Sequence, residues 1–347
     1  MLTELRAGGG RRARRACLSP IAAALLGATL ATPGVAADDL PPGGGFSLPV
    51  ACTPGRDCWV MNYPDMDPGT AVRDPFCGPR SYDGHKGTDI AVRDRAALRR
   101  GVEVLAAADG RVLRLRDGMD DRVWDRQTPV SAGRDCGNGA VIDHGGEWET
   151  QYCHLRKGSL RVRPGETVTR GQPIGLVGLS GKTEFPHVHI TVQRDGAPWD
   201  PGTGRTLAGG CDGPGGRSLW HPSRPLPYSA GTIYAAGFAA GAVSEARIKD
   251  DASSPAALPR DAPALVLWAT LFGARAGDRI RLEIAAPDGK VFFRHVAASD
   301  KDQAWRLTFA GKKRSGTTWS TGRYGGRVTL MREGTPSQTR TVDVTVQ

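Results

Sequence analysis

Histidines and a carboxylate recur at three places in this chain, with spacings that would let them share one cation. The places are His85-Lys86-Gly87-Thr88-Asp89, Tyr152-Cys153-His154-Leu155 and His187-Val188-His189. In an extended strand residues i and i+2 point to one face, so His187 and His189 lie side by side with Val188 turned to the core. Gly84 and Gly87 bend the approach to Asp89-Ile90-Ala91-Val92, so that His85 and Asp89 aim at one point. Each motif alone is weak. An HxH pair is more often a polar strand face, an HxxxD carboxylate can simply bond a turn, and His154 alone reads as structural. Together they offer what a catalytic zinc needs, three protein ligands and a fourth position for water. Nitrogen and oxygen donors without thiolate favour zinc over copper or an iron–sulfur cluster. His144, in Asp143-His144-Gly145-Gly146, reads as a surface turn residue, and His221 and His295 have no partners nearby in sequence.

The elements that must hold these residues read as strands. With 47 glycines and 25 prolines in 347 residues, the composition favours short strands and turns over long helices. Residues 76–205 read as an all-β domain: Val102 to Ala107 and Arg111 to Leu115 about an Asp109-Gly110 turn, Gly139 to Asp143 paired with Glu149 to Leu155, and His187 to Val192 last. Residues 116–137 are charged and aperiodic, an inserted loop. Residues 206–230, rich in glycine and proline, read as a linker. Beyond it, 231–347 carries regular short strands (Leu265 to Leu271, Arg279 to Ile284, Val291 to Val296, Trp305 to Ala310, Gly326 to Met331) and no histidine–carboxylate cluster, as expected of a small Ig-like β-sandwich. Residues 38–75 read as an irregular leader fastened to the main domain by disulfide.

Residues 1–37 have the parts of a secretory signal: Arg11, Arg12, Arg14 and Arg15, an apolar run from Ile21 to Leu30, and Val35-Ala36-Ala37 at a cleavage site. The run is too short and alanine-rich for a strong membrane span, so the mature chain is expected to be exported, periplasmic or extracellular, without an integral span. Six cysteines remain after cleavage, and an even number in an exported chain implies disulfides. Cys136 and Cys153 flank a hairpin, Cys52 and Cys58 close a short loop, and Cys77 pairs with Cys211 by elimination. No CxxC pair supports a cysteine metal site. Formal charge is +10, of which the first 37 residues contribute five arginines and one glutamate, leaving +6. That suits an anionic partner. Without a basic–aromatic stripe, a wall polymer fits better than nucleic acid.

Read in order, the motifs resemble the lysostaphin/LytM-type zinc metallopeptidases, peptidoglycan endopeptidases with the duplicated hybrid motif (barrel-sandwich) fold. The resemblance rests on His85-Lys86-Gly87-Thr88-Asp89-Ile90, Val141-Ile142-Asp143-His144-Gly145, Tyr152-Cys153-His154-Leu155, Val168 to Gly175, Gly178-Leu179-Ser180-Gly181 and Pro186-His187-Val188-His189, over roughly residues 76–200. It implies one Zn²⁺ per chain on His85, Asp89 and His189, catalytic roles for His154 and His187, and hydrolysis of peptide bonds in peptidoglycan crosslinks or stem peptides by a monomer. It also implies an alternative, because the family includes members that lost ligands and activate cell-wall amidases. The five intact residues favour catalysis. A lipoyl-like carrier, brought to mind by Arg170 to Gly181, leaves the histidines unexplained. Cys153 departs from the small residue usual before the catalytic histidine. Asp143, Lys182 and Thr183 are possible cleft-rim residues, and Asn62 or Asp65 of the leader could occupy the metal's open position.

Overall fold

Alternating apolar residues build the sheet that carries the motifs. In a computed structural model describing residues 40–347, the strands are β1 (Cys58–Asn62), β2 (Thr88–Val92), β3 (Glu103–Leu105), β4 (Gly110–Arg116), β5 (Asn138–Gly145), β6 (Trp148–Leu155), β7 (Thr167–Val168), β8 (Pro173–Leu176), β9 (His187–Arg194), β10 (Ala197–Asp200) and β11 (Arg205–Thr206). The signal-peptide reading lies outside the described residues. The main sheet runs β1-β2-β9-β6-β5-β4-β7, with β10 joining β9 to β11, and β3 pairs with β8 as a separate ribbon. Ile90, Ile142, Leu155, Val188 and Ile190 are fully buried between these layers. Residues 76–205 are therefore nearly all-β, as expected.

One register row explains how the site is assembled. Asn62 on β1 pairs with Asp89 on β2, Asp89 with His189 on β9, and His189 with Cys153 on β6. Directly opposed residues of antiparallel strands share a face, so residues distant in sequence become neighbours across four strands. The segment read as an irregular leader thus supplies an edge strand. Its backbone fastens it, together with the buried side chains of Phe46, Leu48 and Val50. Cys52–Cys58 closes a loop within this segment, and Cys77–Cys211 joins its C-terminal flank to the glycine-rich stretch.

The third expected disulfide, Cys136–Cys153, ties the inserted loop to β6. A cross-link over 17 residues stabilises a fold by about 3 kcal/mol, chiefly by restricting the unfolded chain. The paired change Cys136→Ser with Cys153→Ser is expected to lower unfolding free energy by about that amount, read from urea midpoints and slopes together. An unchanged midpoint would show that the bridge is dispensable to stability.

The remaining strands are β12 (Thr232–Ala239), β13 (Ala257–Leu258), β14 (Ala264–Ala274), β15 (Arg279–Ala285), β16 (Val291–Ala298), β17 (Gln303–Lys313), β18 (Gly322–Arg332) and β19 (Thr335–Val346). They form a sheet ordered β12-β14-β17 facing one ordered β13-β19-β18-β15-β16, around Phe238, Leu267, Leu282 and Val328. The outer face of the smaller sheet is not free. Tyr234, Trp268 and Phe272 pack with Trp59, Ala91 and Phe185 in one further cluster. Two short helices were not expected from the sequence, α1 (Arg95–Arg100) and α2 (Glu245–Asp250). Asp94 caps α1 through the Ala97 N–H and also accepts from Ala252 N just after α2. Among the described residues no helix is long and apolar enough to cross a membrane.

Candidate metal and catalytic site

The row and the bend before β2 together place three ligand atoms around one point. Asp89 Oδ1 lies 3.1 Å from His85 Nε2 and 2.9 Å from His189 Nδ1, and the two imidazole nitrogens are 3.1 Å apart. Each group is held from behind. His85 donates its Nδ1–H to the Tyr63 carbonyl at 2.7 Å, Asn62 Nδ2 donates to Asp89 Oδ2 at 2.9 Å, and His189 Nε2 meets Thr191 Oγ1 at 2.9 Å. With the ring hydrogens used outward, two bare imidazole lone pairs and a carboxylate oxygen face one another with no donor between them. Such a set repels itself until a cation sits among them, so the residues fit a metal ion. Among the described residues the other candidate cluster, Cys52, Asp57 and Cys58, has its thiols consumed in a disulfide.

Gly87 is required by close approach. A Cβ there would stand 2.4 Å from the Ile190 carbonyl and 2.7 Å from His189 Nε2. Tyr82 stacks on the other side of His85, ring centroids 4.2 Å apart, and remains half exposed.

His154 and His187 complete the constellation, 4.7 Å apart between ring centroids. His154 ends β6 with φ of 66°, a left-handed conformation that costs most side chains but is more common for histidine. It breaks the strand's alternation and turns the imidazole toward the row that strand alternation alone would point it away from. The backbone holds this turn at both ends, His154 N donating to Cys136 O at 2.8 Å and Gly178 N to His154 O at 2.9 Å. Its Nδ1–H bonds Ser180 O at 2.8 Å. The Nδ1–H of His187 is shared between Phe185 O at 2.8 Å and Thr183 Oγ1 at 3.1 Å. Both rings therefore direct Nε2 inward, that of His187 to 3.4 Å from Asp89 Oδ1.

The electrostatics follow from burial and mutual charge. Burial opposes the charge on Asp89, yet His85, His187 and His189 outweigh it and hold the carboxyl well below the usual carboxylate range. Burial, reinforced by His187 and His189, holds His154 well below the usual imidazole range, so it is neutral. His189 is lowered by burial against the pull of Asp89. His187 is raised, because Asp89 and the Phe185 carbonyl overcome burial.

All five predicted residues come together here. Other expectations change. His144 is buried, bonding Asp109 O and Thr150 Oγ1 at 2.7 Å each, because β5 continues through it and turns its ring inward beside Phe46. Thr183 is no rim residue: it is buried and orients His187. Asn62 bonds the outer oxygen of Asp89, and the Asp65 carboxylate accepts from the backbone of Asp67, Arg73 and Gly84. Neither side chain lies among the facing ligand atoms, so the geometry gives no support to a block from this segment.

Sequence reasoning missed the supporting partners. Thr191 could have been found, since it lies two residues after His189 on the same strand face. Asn62, Ser180 and Phe185 carry no local signal. Asn62→Ala is expected to weaken divalent-metal affinity roughly tenfold by freeing Asp89 to rotate, measured by calorimetric titration. Unchanged affinity would show that the carboxylate needs no such anchor.

Residues 83–201 match peptidase family M23. Among curated proteins, the chain is 35% identical over 114 residues to the peptidoglycan DD-endopeptidase ShyA of Vibrio cholerae, covering 33% of this chain and 21% of that one. It is 33% identical over 116 residues to ShyB of the same organism, a peptidoglycan DD-endopeptidase, covering 33% and 22%. The chain thus spans about a fifth of the length of the curated relatives it matches. Among solved structures, a zinc-containing peptidase from Vibrio cholerae is 28% identical, covering 41% of this chain and 39% of that one with a TM-score of 0.27. The catalytic domain of lysostaphin from Staphylococcus simulans is 19% identical, covering 40% and 85% with a TM-score of 0.26.

Proposed function

We propose that the chain, whose residues 83–201 match peptidase family M23, is an exported, zinc-dependent endopeptidase that hydrolyses peptide bonds in peptidoglycan crosslinks or stem peptides. The observation that carries this reading is the convergence of His85, Asp89 and His189 on one point with His154 and His187 beside it. The named activity of the relatives supports the substrate class. Three disulfides support an oxidising compartment. In this reading residues 76–205 are the catalytic part and 231–347 an accessory domain.

His85 Nε2, Asp89 Oδ1 and His189 Nδ1 would hold the zinc. Bound there, it supplies Lewis acidity toward the scissile carbonyl and lowers the pKa of a water to about 7. His154 and His187 do the proton work. Each has its Nδ1–H fixed on a backbone carbonyl, so neither ring can turn away and each offers Nε2 to take or give a proton. Once protonated at Nε2, either ring becomes a donor to the developing oxyanion. Asn62, Tyr63 and Thr191 keep the ligands in place, and burial of the cluster keeps bulk water from screening it.

The test is incubation of the zinc-loaded protein with purified crosslinked muropeptides, followed by mass spectrometry. Products with one new amine and one new carboxylate identify the bond. Intact substrate, with zinc bound and the fold unchanged, would overturn the reading.

A further inference from the structure

The unoccupied face of the C-terminal sandwich is unusual in charge. Along β15 the even residues Ile280, Leu282 and Ile284 are buried, so the odd ones point outward. Register then fixes what stands beside them. Arg281 neighbours Val296 and Thr329, and Glu283 neighbours Arg294 and Arg327. The next strand adds Thr339 beside Thr329, Thr341 beside Arg327, and Thr345 beside Arg323. With Arg279, the face holds five arginines against Glu283 and Asp343.

The acids are already engaged. Glu283 is shared by Arg294 at 2.7 Å and Arg281 at 3.7 Å, and Asp343 accepts from Arg323 at 2.6 Å. Among the described residues Arg279 and Arg327 have no acidic partner. Both are exposed, on neighbouring strands, and same-face residues along a strand recur about every 7 Å. Exposed Thr339, Thr341 and Thr345 stand on the same face. An exposed cationic sheet face does not enclose a small anion, but it suits a long polymer with repeated negative groups, where many weak contacts add. No aromatic residue is among the register partners named on this face, so recognition would run through charge and hydrogen bonds.

We propose that the Arg279–Arg327 face of the C-terminal sandwich binds the free carboxylates of peptidoglycan and holds the catalytic site on its polymer. This rests on the reading of the site as a peptidoglycan endopeptidase, and its failure is separable from that reading. The full chain, the double variant Arg279→Glu with Arg327→Glu, and the control Arg217→Glu are pelleted with purified sacculi at low salt, briefly and in the cold. Cleavage of a soluble crosslinked muropeptide is measured in parallel. Reversing two unpaired charges is expected to lower the bound fraction on the order of tenfold, to leave cleavage of the soluble fragment unchanged, and to remove most of the salt dependence. The wild type should release at about 0.5 M salt, where screening shortens the reach of charge. Equal binding by the double variant, an equal loss in the control, or no sacculus binding by the wild type would overturn the proposal. So would retention on duplex DNA with none on sacculi. Absent cleavage of the soluble fragment by the wild type, with sacculus binding intact, would instead remove the endopeptidase reading.

Discussion

The His189→Ala protein is expected to fold, to lose stoichiometric zinc and to cleave crosslinked peptidoglycan fragments at least about ten-thousandfold more slowly than the wild type. The size of the effect follows from where His189 sits. It lies in the middle of the register row, its Nδ1 2.9 Å from Asp89 Oδ1 and 3.1 Å from His85 Nε2. Without it only two of the three ligands remain, on adjacent ends of one bend. The fold should survive, because truncation removes a like-polarity contact from a cluster that repels itself, and the backbone pairing of β9 with β2 and β6 does not involve the ring. Metal analysis of the dialysed protein and its melting temperature are read together with the rate. One zinc per chain retained at wild-type affinity would show that the cation sits elsewhere.

His187→Ala separates proton transfer from metal binding. The expected result is one zinc per chain and a kcat reduced about a thousandfold, the range in which a positioned imidazole contributes. His187 Nδ1 is shared by the Phe185 carbonyl and the Thr183 hydroxyl, and these two already bond each other at 2.9 Å. Removing the ring therefore orphans no buried polar group, and stability should change only through the small cavity left behind. Asp89 loses the contact to His187 but keeps His85, His189 and Asn62. Full activity in this variant would remove His187 from the chemistry and leave His154 as the sole proton carrier. A lost zinc would mean that it acts as a ligand.

Much of the structure was legible in the residues themselves. Strand and turn signals located β4, β5, β6 and β9, but the hairpin expected about Asp109-Gly110 is absent: β3 pairs with β8, and β4 with β5 and β7. Two of the three disulfides had a local cue in a short loop and a hairpin, while Cys77–Cys211, 134 residues apart, followed only by elimination. The arithmetic of strand faces placed His187 beside His189. What stayed hidden had physical causes. β12 is rich in alanine and glycine, and Gly237 is there because a Cβ would stand 2.7 Å from the Trp268 indole, a demand of packing with no local trace. β19 alternates threonine and charge on an exposed face, which weakens its apolar signal. The helices α1 and α2, six residues each, are too short to show a 3.6-residue period.

For the site the division is sharper. Ligand chemistry belongs to side-chain type, and type is written in the sequence, so His85, Asp89, His154, His187 and His189 could be named from it. Their supports could not. Asn62 reaches Asp89 only because β1 pairs with β2 in one register, and a shift of a single residue would turn that amide to the opposite face. Ser180 and Thr183 orient two histidines because a loop returns past the ends of β6 and β9. His144, a turn residue by sequence, is buried because its strand runs on beyond the expected turn. Local residues determined which groups could bind a metal; long-range strand pairing, whose register no short window contains, decided which atoms hold them there.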